Sequence, residues 1–205
     1  RSDVESGMDS LAIALTASLP DVNPARRRIL DFATARAHTL GLDAITIGTL
    51  AGDLGLSKSG LFAHFGSKVA LQAAIISHAT DQFLRQVAGP ALLEAWLQYA
   101  QQPGGCFFLG ACAELDGRTG AIREQVAEFA EWWLGVLQEE TEAAIQQGEL
   151  PASESASELV FELHAFVTQA NAGFQMFGDP SWPARARSAI ARRLNGVLPP
   201  PVTVE

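Results

Sequence analysis

The chain has 205 residues, of which 48% are hydrophobic and 18% are charged, and its net charge is −9. This length allows one or two compact domains, and the apolar content is ample for a hydrophobic core. Two cysteines and no secretion signal fit a reducing cytoplasm rather than a disulfide-stabilised secreted protein. The apolar run at residues 11–19 is too short to span a membrane.

The first predicted helix begins at Asn23, which can cap it and is followed by a proline suited to the first helical position. We expect residues 1–22 to be a flexible N-terminal extension. Arg26, Arg27 and Arg28 then fall in the first turn, where positive charge opposes the helix dipole at roughly 0.3–1 kcal/mol each. A nearby phosphate backbone would turn that repulsion into attraction. A solvated arginine cluster with screened charges is the alternative.

Residues 46–68 predict two short helices joined by a glycine turn and followed at once by a third helix start. Thr46, Ser57 and Ser67 stand where a side-chain hydroxyl can cap each of these helices. Gly55 falls where the first helix must end, because glycine takes the left-handed conformation at low cost. This is the layout of a helix-turn-helix, whose second helix can enter the DNA major groove.

Residues of the second short helix divide into an inner and an outer side. Leu61 and Phe65, four positions apart, are expected to be buried, and Leu56 is expected to fill the space between the two helices. The outer side then holds Lys58, Ser59 and His64. Gly60 costs roughly 1 kcal/mol relative to alanine inside a helix. Two explanations stay open for it: close approach of the backbone to DNA, or a glycine that is merely tolerated.

The segment from the Arg28-Ile29-Leu30 run to Leu71 resembles the DNA-binding domain of the TetR (tetracycline-repressor-like) family of bacterial transcription regulators. The resemblance covers about a quarter of the chain and passes through Ala33, Gly41, the turn glycine, the His-Phe pair and two Ser-Lys pairs. It implies phosphate contacts for Thr46, His64 and Lys68. It also implies base-edge or groove contacts for Ser57, Lys58, Ser59 and Gly60.

Two departures from the family pattern stand in the second helix. The family often has glycine then threonine where this chain has Ser59 and Gly60, and a tyrosine where it has Phe62. The missing hydroxyl removes one usual phosphate contact. We therefore expect Phe62 to belong to the core only.

Charge is divided unevenly along the chain. Residues 24–72 carry six basic against three acidic residues, a net charge of +3, while the rest of the chain carries −12. This asymmetry favours one basic face that approaches DNA while an acidic body faces away. It also predicts an affinity that falls as salt concentration rises.

The remainder of the chain predicts further helices and no strand of any length, so the fold class is all-α. The expected helices span about 67–87, 92–97, 106–115, 119–147, 153–177 and 183–194. We expect a three-helix helix-turn-helix DNA-binding domain at 23–70 and a larger helical effector-binding and dimerisation domain at 71–197. The proline-rich segment at 198–205 is expected to be a disordered tail.

The helix at 153–177 is apolar on two predicted faces. One holds Leu159, Leu163, Phe166, Ala170 and Phe177, and the other holds Val160, His164, Val167 and Asn171. One face can cover the domain core, and the second needs another partner, most simply a second copy of the chain. The resemblance implies the same, because the last two long helices of the family pair into a four-helix bundle. Helix-turn-helix proteins also need dimers to read two half-sites.

Aromatic residues of the body are expected to converge inside it. They are Trp96, Phe107, Phe108, Phe129, Trp133, Phe161 and Phe166. Aromatic walls with few polar groups are typical of apolar ligand pockets, and His164 and Gln169 are the candidate polar anchors. Ordinary core packing is the alternative for each of these residues. No cofactor or metal is predicted, because the histidines at 38, 64, 78 and 164 are scattered.

Together these features predict a cytoplasmic, homodimeric regulator, a repressor of a palindromic double-stranded DNA operator. A small apolar effector in the body would release the operator by moving the linking helix at about 67–87. Two alternatives stay open: a helical enzyme with an incidental helix-turn-helix, and a DNA-binding family member without a small-molecule effector. No enzymatic activity is predicted, because no nucleophile–base pair, paired carboxylates or phosphate loop stands at usable spacing. The effector, the operator and the choice between repression and activation stay undetermined.

Overall fold

A computed structural model describes residues 23–89 and 91–194, and every regular element within them is an α-helix. The helices are α1 Pro24–Leu40, α2 Ile47–Leu54, α3 Lys58–Phe65, α4 Lys68–Val87, α5 Leu92–Tyr99, α6 Phe107–Leu115, α7 Ala121–Gln146, α8 Ala156–Phe177 and α9 Ser181–Arg193. The all-α prediction is confirmed. The extension predicted for residues 1–22 and the tail predicted for 198–205 lie outside the described residues.

Side-chain caps define where the N-terminal helices begin. Asn23 accepts a hydrogen bond from the backbone of the second following residue at 2.9 Å. Thr46 and Thr49 form a reciprocal capping box at the start of α2. Ser57 and Ser67 each accept from the backbone N–H three residues ahead, at 3.1 and 3.0 Å. These caps satisfy amides that have no partner within their helices, and they confirm the predicted helix starts.

The turn between α2 and α3 follows the predicted glycine geometry but not the predicted packing. Gly55 is left-handed, with φ of 63°, and ends α2. Leu56, expected to fill the space between the helices, is 46% exposed, so that expectation is wrong. The Leu56 N–H donates a hydrogen bond to the carbonyl oxygen of Ala51. Leu42 and Ile45, in the loop between α1 and α2, are buried instead. The inner side of α3 is as predicted, with Leu61 and Phe65 buried.

Helix α4 joins the N-terminal helices to the rest of the chain. It packs against α1, α5 and α7. Its buried residues run along its length, from Leu71 near the start to Val87 at the end. On the α1 side, His78 Nε2 lies 2.7 Å from the Asp31 carboxylate. A shift of α4 would therefore displace its contacts with α1 as well as its contacts with α5 and α7.

The body is held together around α8, which packs against α7 and α9. Two arginines of α9 form three ion pairs that hold this helix in place. Arg187 pairs with Glu94 of α5 at 2.7 Å, and Arg193 pairs with Glu154 at 2.6 Å and also with Glu162 of α8. No helix in the described ranges is both long enough and apolar enough to cross a bilayer.

Exposure along α8 differs from the two-face prediction. Residues from both predicted faces are buried within the one chain, among them Leu159, Leu163, Ala170, Val160 and Val167. Phe161, expected inside the body, is 75% exposed, and Phe177, expected on a covered face, is 67% exposed. Because α7 and α9 cover two sides of α8, a third side is left open. That side carries Phe161 and Met176, each 75% exposed.

Candidate nucleic-acid interface

Helix α3 presents a polar and basic outer face. Lys58, Ser59, Gly60 and His64 are all exposed there. Ser57, also exposed, accepts a hydrogen bond from the Gly60 N–H at 3.1 Å and lies 3.3 Å from the Ser59 hydroxyl. The Ser57 hydroxyl therefore caps the first turn of α3. The sequence-predicted groove residues are thus together on one accessible helix.

The start of α2 lies beside the start of α3. A Cβ added at Gly48 would lie 3.7 Å from Lys58 Cε, which places the lysine side chain across the first turn of α2. The Thr46 hydroxyl accepts from the Thr49 N–H at 3.1 Å and so is engaged in capping. Backbone amides at this helix start, together with the Lys58 ammonium, are suited to hold an anionic group.

The first turn of α1 lies near the C-terminal end of α3. The Arg26 guanidinium lies over the Phe65 ring, 5.0 Å from its centroid, which fits a cation–π contact. Arg27 and Arg28 are exposed beside it. None of these three arginines, nor Lys58, takes part in an ion pair with a described residue. Lys58 on α3 and Arg26 against it are therefore cations without an ion-pair partner among the described residues, and Arg27 and Arg28 are two more in the first turn of α1.

The other two basic residues of the N-terminal region are paired. Arg36 binds the Asp53 carboxylate at 2.9 and 3.1 Å. Lys68, for which the resemblance implies a phosphate contact, lies 2.5 Å from Asp43, which also binds Arg118 at 2.8 Å. Hydrogen bonds from these two cations lower the Asp43 pKa to about 2, so its carboxylate is ionised at neutral pH. A phosphate would have to share Lys68 with that carboxylate.

Phe62 is the functional candidate that sequence reasoning misplaced. The expectation that it belongs only to the core is wrong, because its side chain is 54% exposed. Helical spacing could have predicted this exposure, because Phe62 follows the exposed Lys58 by four positions and lies on the same side of α3. Val69, at the start of α4, is also exposed, at 53%. The outer face of α3 is therefore partly apolar, which suits contact with thymine methyl groups or sugars.

A cluster of aromatic rings fills the centre of the body. The predicted residues Trp96, Phe107, Phe108, Phe129 and Trp133 are all buried. Phe83 of α4, which the sequence did not single out, lies at the centre. Its ring lies 4.8–5.9 Å from the rings of Tyr99, Phe108, Phe129 and Trp133. This linking helix therefore reaches directly into the aromatic cluster.

The two predicted polar anchors are placed differently. The His164 ring is half-buried, 5.4 Å from the Trp96 ring, and burial lowers its pKa, so it is neutral at pH 7. Gln169 is exposed on α8, which does not fit an anchor inside the body, because it falls on the side that α7 and α9 leave open. Phe166 is half-buried against the core.

Three polar atoms within the aromatic cluster have no hydrogen bond of normal geometry to a described residue. They are the indole nitrogens of Trp96 and Trp133 and the hydroxyl of Tyr99. A buried polar group without a partner costs roughly 1–3 kcal/mol. These groups can donate to an oxygen of a bound molecule. In the described part of the chain, no group of three or more His, Cys, Asp or Glu residues is arranged to hold a metal ion.

Comparison with known proteins finds one family model and several similar solved structures. A family model described as "Tetracyclin repressor-like, C-terminal domain" matches residues 90–190. A TetR transcriptional regulator from Chloroflexus aurantiacus J-10-FL is similar at a TM-score of 0.74 and 24% identity, covering 83% of this chain and 93% of that one. A TetR-family regulator from Cytophaga hutchinsonii follows at 0.71 and 19%, covering 91% and 99%.

A third similar structure contains ligands. AibR, solved in complex with isovaleryl coenzyme A and operator DNA, has a TM-score of 0.65 and 20% identity, covering 82% of this chain and 96% of its own. Identities this low establish a shared fold. A comparison with curated protein sequences gives no significant match.

Proposed function

The chain belongs to the TetR (tetracycline-repressor-like) family of transcription regulators, and from this premise we propose that it is a cytoplasmic, homodimeric repressor. It binds a palindromic operator through residues 23–70, and a small molecule bound in the helical body at 71–197 releases it. The observation that carries the DNA-binding role is the exposed outer face of α3 with Lys58 on it, together with the arginines at 26–28 in the first turn of α1, of which Arg26 lies over the Phe65 ring. Such a face in an otherwise acidic chain is suited to a phosphate backbone.

Selection of bound fragments from random duplex DNA tests this function. We expect purified protein to enrich an inverted repeat, with half-site centres about one helical turn apart, roughly 34 Å. This spacing follows because two copies of α3 must face the same side of the duplex. Enrichment of no sequence, or of one unpaired half-site, would reject the proposed palindromic recognition.

Phe62 offers a prediction specific to this chain. Phe62→Ala is expected to weaken operator binding about fivefold, since burying roughly 50 Å² of the ring against DNA contributes about 1 kcal/mol. The free energy of unfolding should stay within about 0.5 kcal/mol, because the ring is exposed. Fluorescence anisotropy with labelled operator measures the first quantity and urea unfolding the second.

Phe62→Tyr is the matched variant for this prediction. It restores the hydroxyl found at this position in many family members and is expected to bind the operator at least as tightly as the native chain. Equal affinity of the alanine and native proteins would show that the ring does not touch DNA.

A second copy of the chain is the proposed partner of α8. Its open side carries two side chains that are 75% exposed, Phe161 and Met176, and between them Ala165 and Ala172 with the one polar residue Gln169. An apolar stripe of this kind is typical of a helix–helix interface. The family resemblance supports the same pairing.

Phe161→Glu is expected to convert the dimer to a monomer, because it replaces a large apolar side chain of the proposed interface with a charge. Sedimentation velocity at micromolar protein concentration measures the change. Val69→Glu is the control, since it changes an exposed apolar residue at the opposite end of the molecule. A dimer that persists in Phe161→Glu would place the interface elsewhere.

The aromatic cluster supports the proposed small-molecule control. Its unpaired indole and phenol groups can bind oxygen atoms of a ligand, and Phe83 links the cluster to α4. Binding there would shift α4 and change the separation of the two α3 helices. A tenfold loss of operator affinity needs only about 1.4 kcal/mol of preference for the released state.

A further inference from the structure

A separate cleft lies where the DNA-reading helices meet the body. Its volume is about 290 Å³, close to the lower end for small-molecule pockets. One wall includes His38, Leu40 and Leu42, from the end of α1 and the following loop. The other includes Phe107, Ala111 and Glu114 of α6. Any occupant would therefore contact both halves of the molecule at once.

Glu114 gives the cleft a negative charge. Its two carboxylate oxygens each accept one backbone hydrogen bond at 2.7 Å, from the N–H groups of Leu42 and Asp43. It forms no ion pair with a described residue, because the nearby cations Lys68 and Arg118 bind Asp43 instead. Each carboxylate oxygen keeps a lone pair for a further donor.

His38 adds a second acceptor and no charge. Its Nδ1 lies 3.0 Å from the carbonyl oxygen of Gly105, so this nitrogen donates and Nε2 is left as an acceptor. Burial lowers the His38 pKa, which keeps the ring neutral at pH 7. The cleft thus combines two acceptors with apolar walls.

The loop that borders the cleft is held on two sides. Gly104 has φ of 82°, and a Cβ there would lie 2.2 Å from the carbonyl oxygen of His38, so the loop touches α1 directly. Asn171 of α8 accepts a hydrogen bond from the Cys106 N–H at 2.8 Å on the other side. The cleft is therefore formed without a ligand, which reduces the ordering cost of binding.

We propose that this cleft binds a small organic cation, an amine with an apolar body. The ammonium group donates to the Glu114 carboxylate and the His38 imidazole, and the apolar part lies against Leu40, Phe107 and Ala111. Glu114 repels anions, and a neutral donor gains a hydrogen bond to the carboxylate but not the added attraction between two opposite charges. This site is additional to the effector site proposed for the aromatic cluster. Its occupant links α1 to α6, so its binding is coupled to the position of the DNA-reading helices.

Isothermal titration calorimetry with 2-phenylethylamine tests the proposal, with 2-phenylethanol and phenylacetate as neutral and anionic probes of similar size. The amine is expected to bind saturably and at least tenfold more tightly than either of the others. Glu114→Gln, which keeps an acceptor but removes the charge, is expected to abolish that preference. No DNA is present, so the outcome is independent of the proposed repressor function.

Gly110→Leu locates the binding. Gly110 lines the cleft, and a Cβ added there meets no atom within 4 Å, so the position has room for the first carbon of a side chain that occupies cleft volume. This variant is expected to weaken amine binding at least tenfold. Gly135→Leu in α7 is the control, because it too adds a side chain to a helical glycine with nothing within 4 Å. Absence of saturable amine binding, equal binding of the three probes, or unchanged binding to Gly110→Leu would overturn the proposal.

Discussion

Lys58→Ala is expected to lower affinity for the selected operator by about 10- to 100-fold, the range for one specific base contact. Lys58 is the first residue of α3, is exposed, and lies across the first turn of α2. It forms no ion pair with a described residue, so no salt bridge to such a residue has to break before its ammonium can contact DNA. Affinity for an unrelated duplex should fall much less, because there only the phosphate attraction is lost.

Fluorescence anisotropy with operator and unrelated duplexes of equal length, at several salt concentrations, measures both affinities. Arg123→Ala is the matched control, because it removes one exposed positive charge from the body helix α7. We expect its operator affinity to match that of the native chain. An equal loss on both duplexes in Lys58→Ala would assign Lys58 to a phosphate, and no loss on either would remove it from the interface.

Arg187→Met is expected to lower the free energy of unfolding by about 3–5 kcal/mol, the usual cost of leaving a buried charge without its partner. Glu94 is buried, with a side chain 2% exposed, and Arg187 binds both of its oxygens, at 2.7 and 2.8 Å. Among the side chains of the described residues, Gln98 alone would still donate to that carboxylate, at 3.1 Å. The effect should be large because this pair fastens α9 to α5.

Urea unfolding at fixed protein concentration measures this change, since dimerisation makes stability depend on concentration. Arg185→Met is the control. Its guanidinium is exposed and lies 5.5 Å from the Trp182 ring centroid, so the cost should stay below about 1 kcal/mol. The double variant Glu94→Leu with Arg187→Met should recover most of the loss, because it removes both buried charges. A single variant as stable as the native chain would show that Glu94 is not truly buried in solution.

Local signals in the sequence determined where the helices of the helix-turn-helix begin and where its glycine turn lies. The hydroxyl caps at Thr46, Ser57 and Ser67 and the left-handed Gly55 stand where the residue types predicted them. A cap or a stop depends on residues within about four positions, so it can be read from neighbours in the chain. Helical spacing likewise placed the long helices of the body within a few residues of their observed ends.

Side-chain exposure and charge pairing were decided only by the tertiary structure. Spacing divides a helix into faces, but it does not say which of them another helix will cover, and Phe161 and Gln169 were misplaced for that reason. Lys68 and Asp43 are 25 residues apart, and Glu94 and Arg187 are 93 apart, so no local pattern joins them. Which cations around α3 stay unpaired depends on such long-range contacts, because folding is what brings distant charges within a few ångströms of each other.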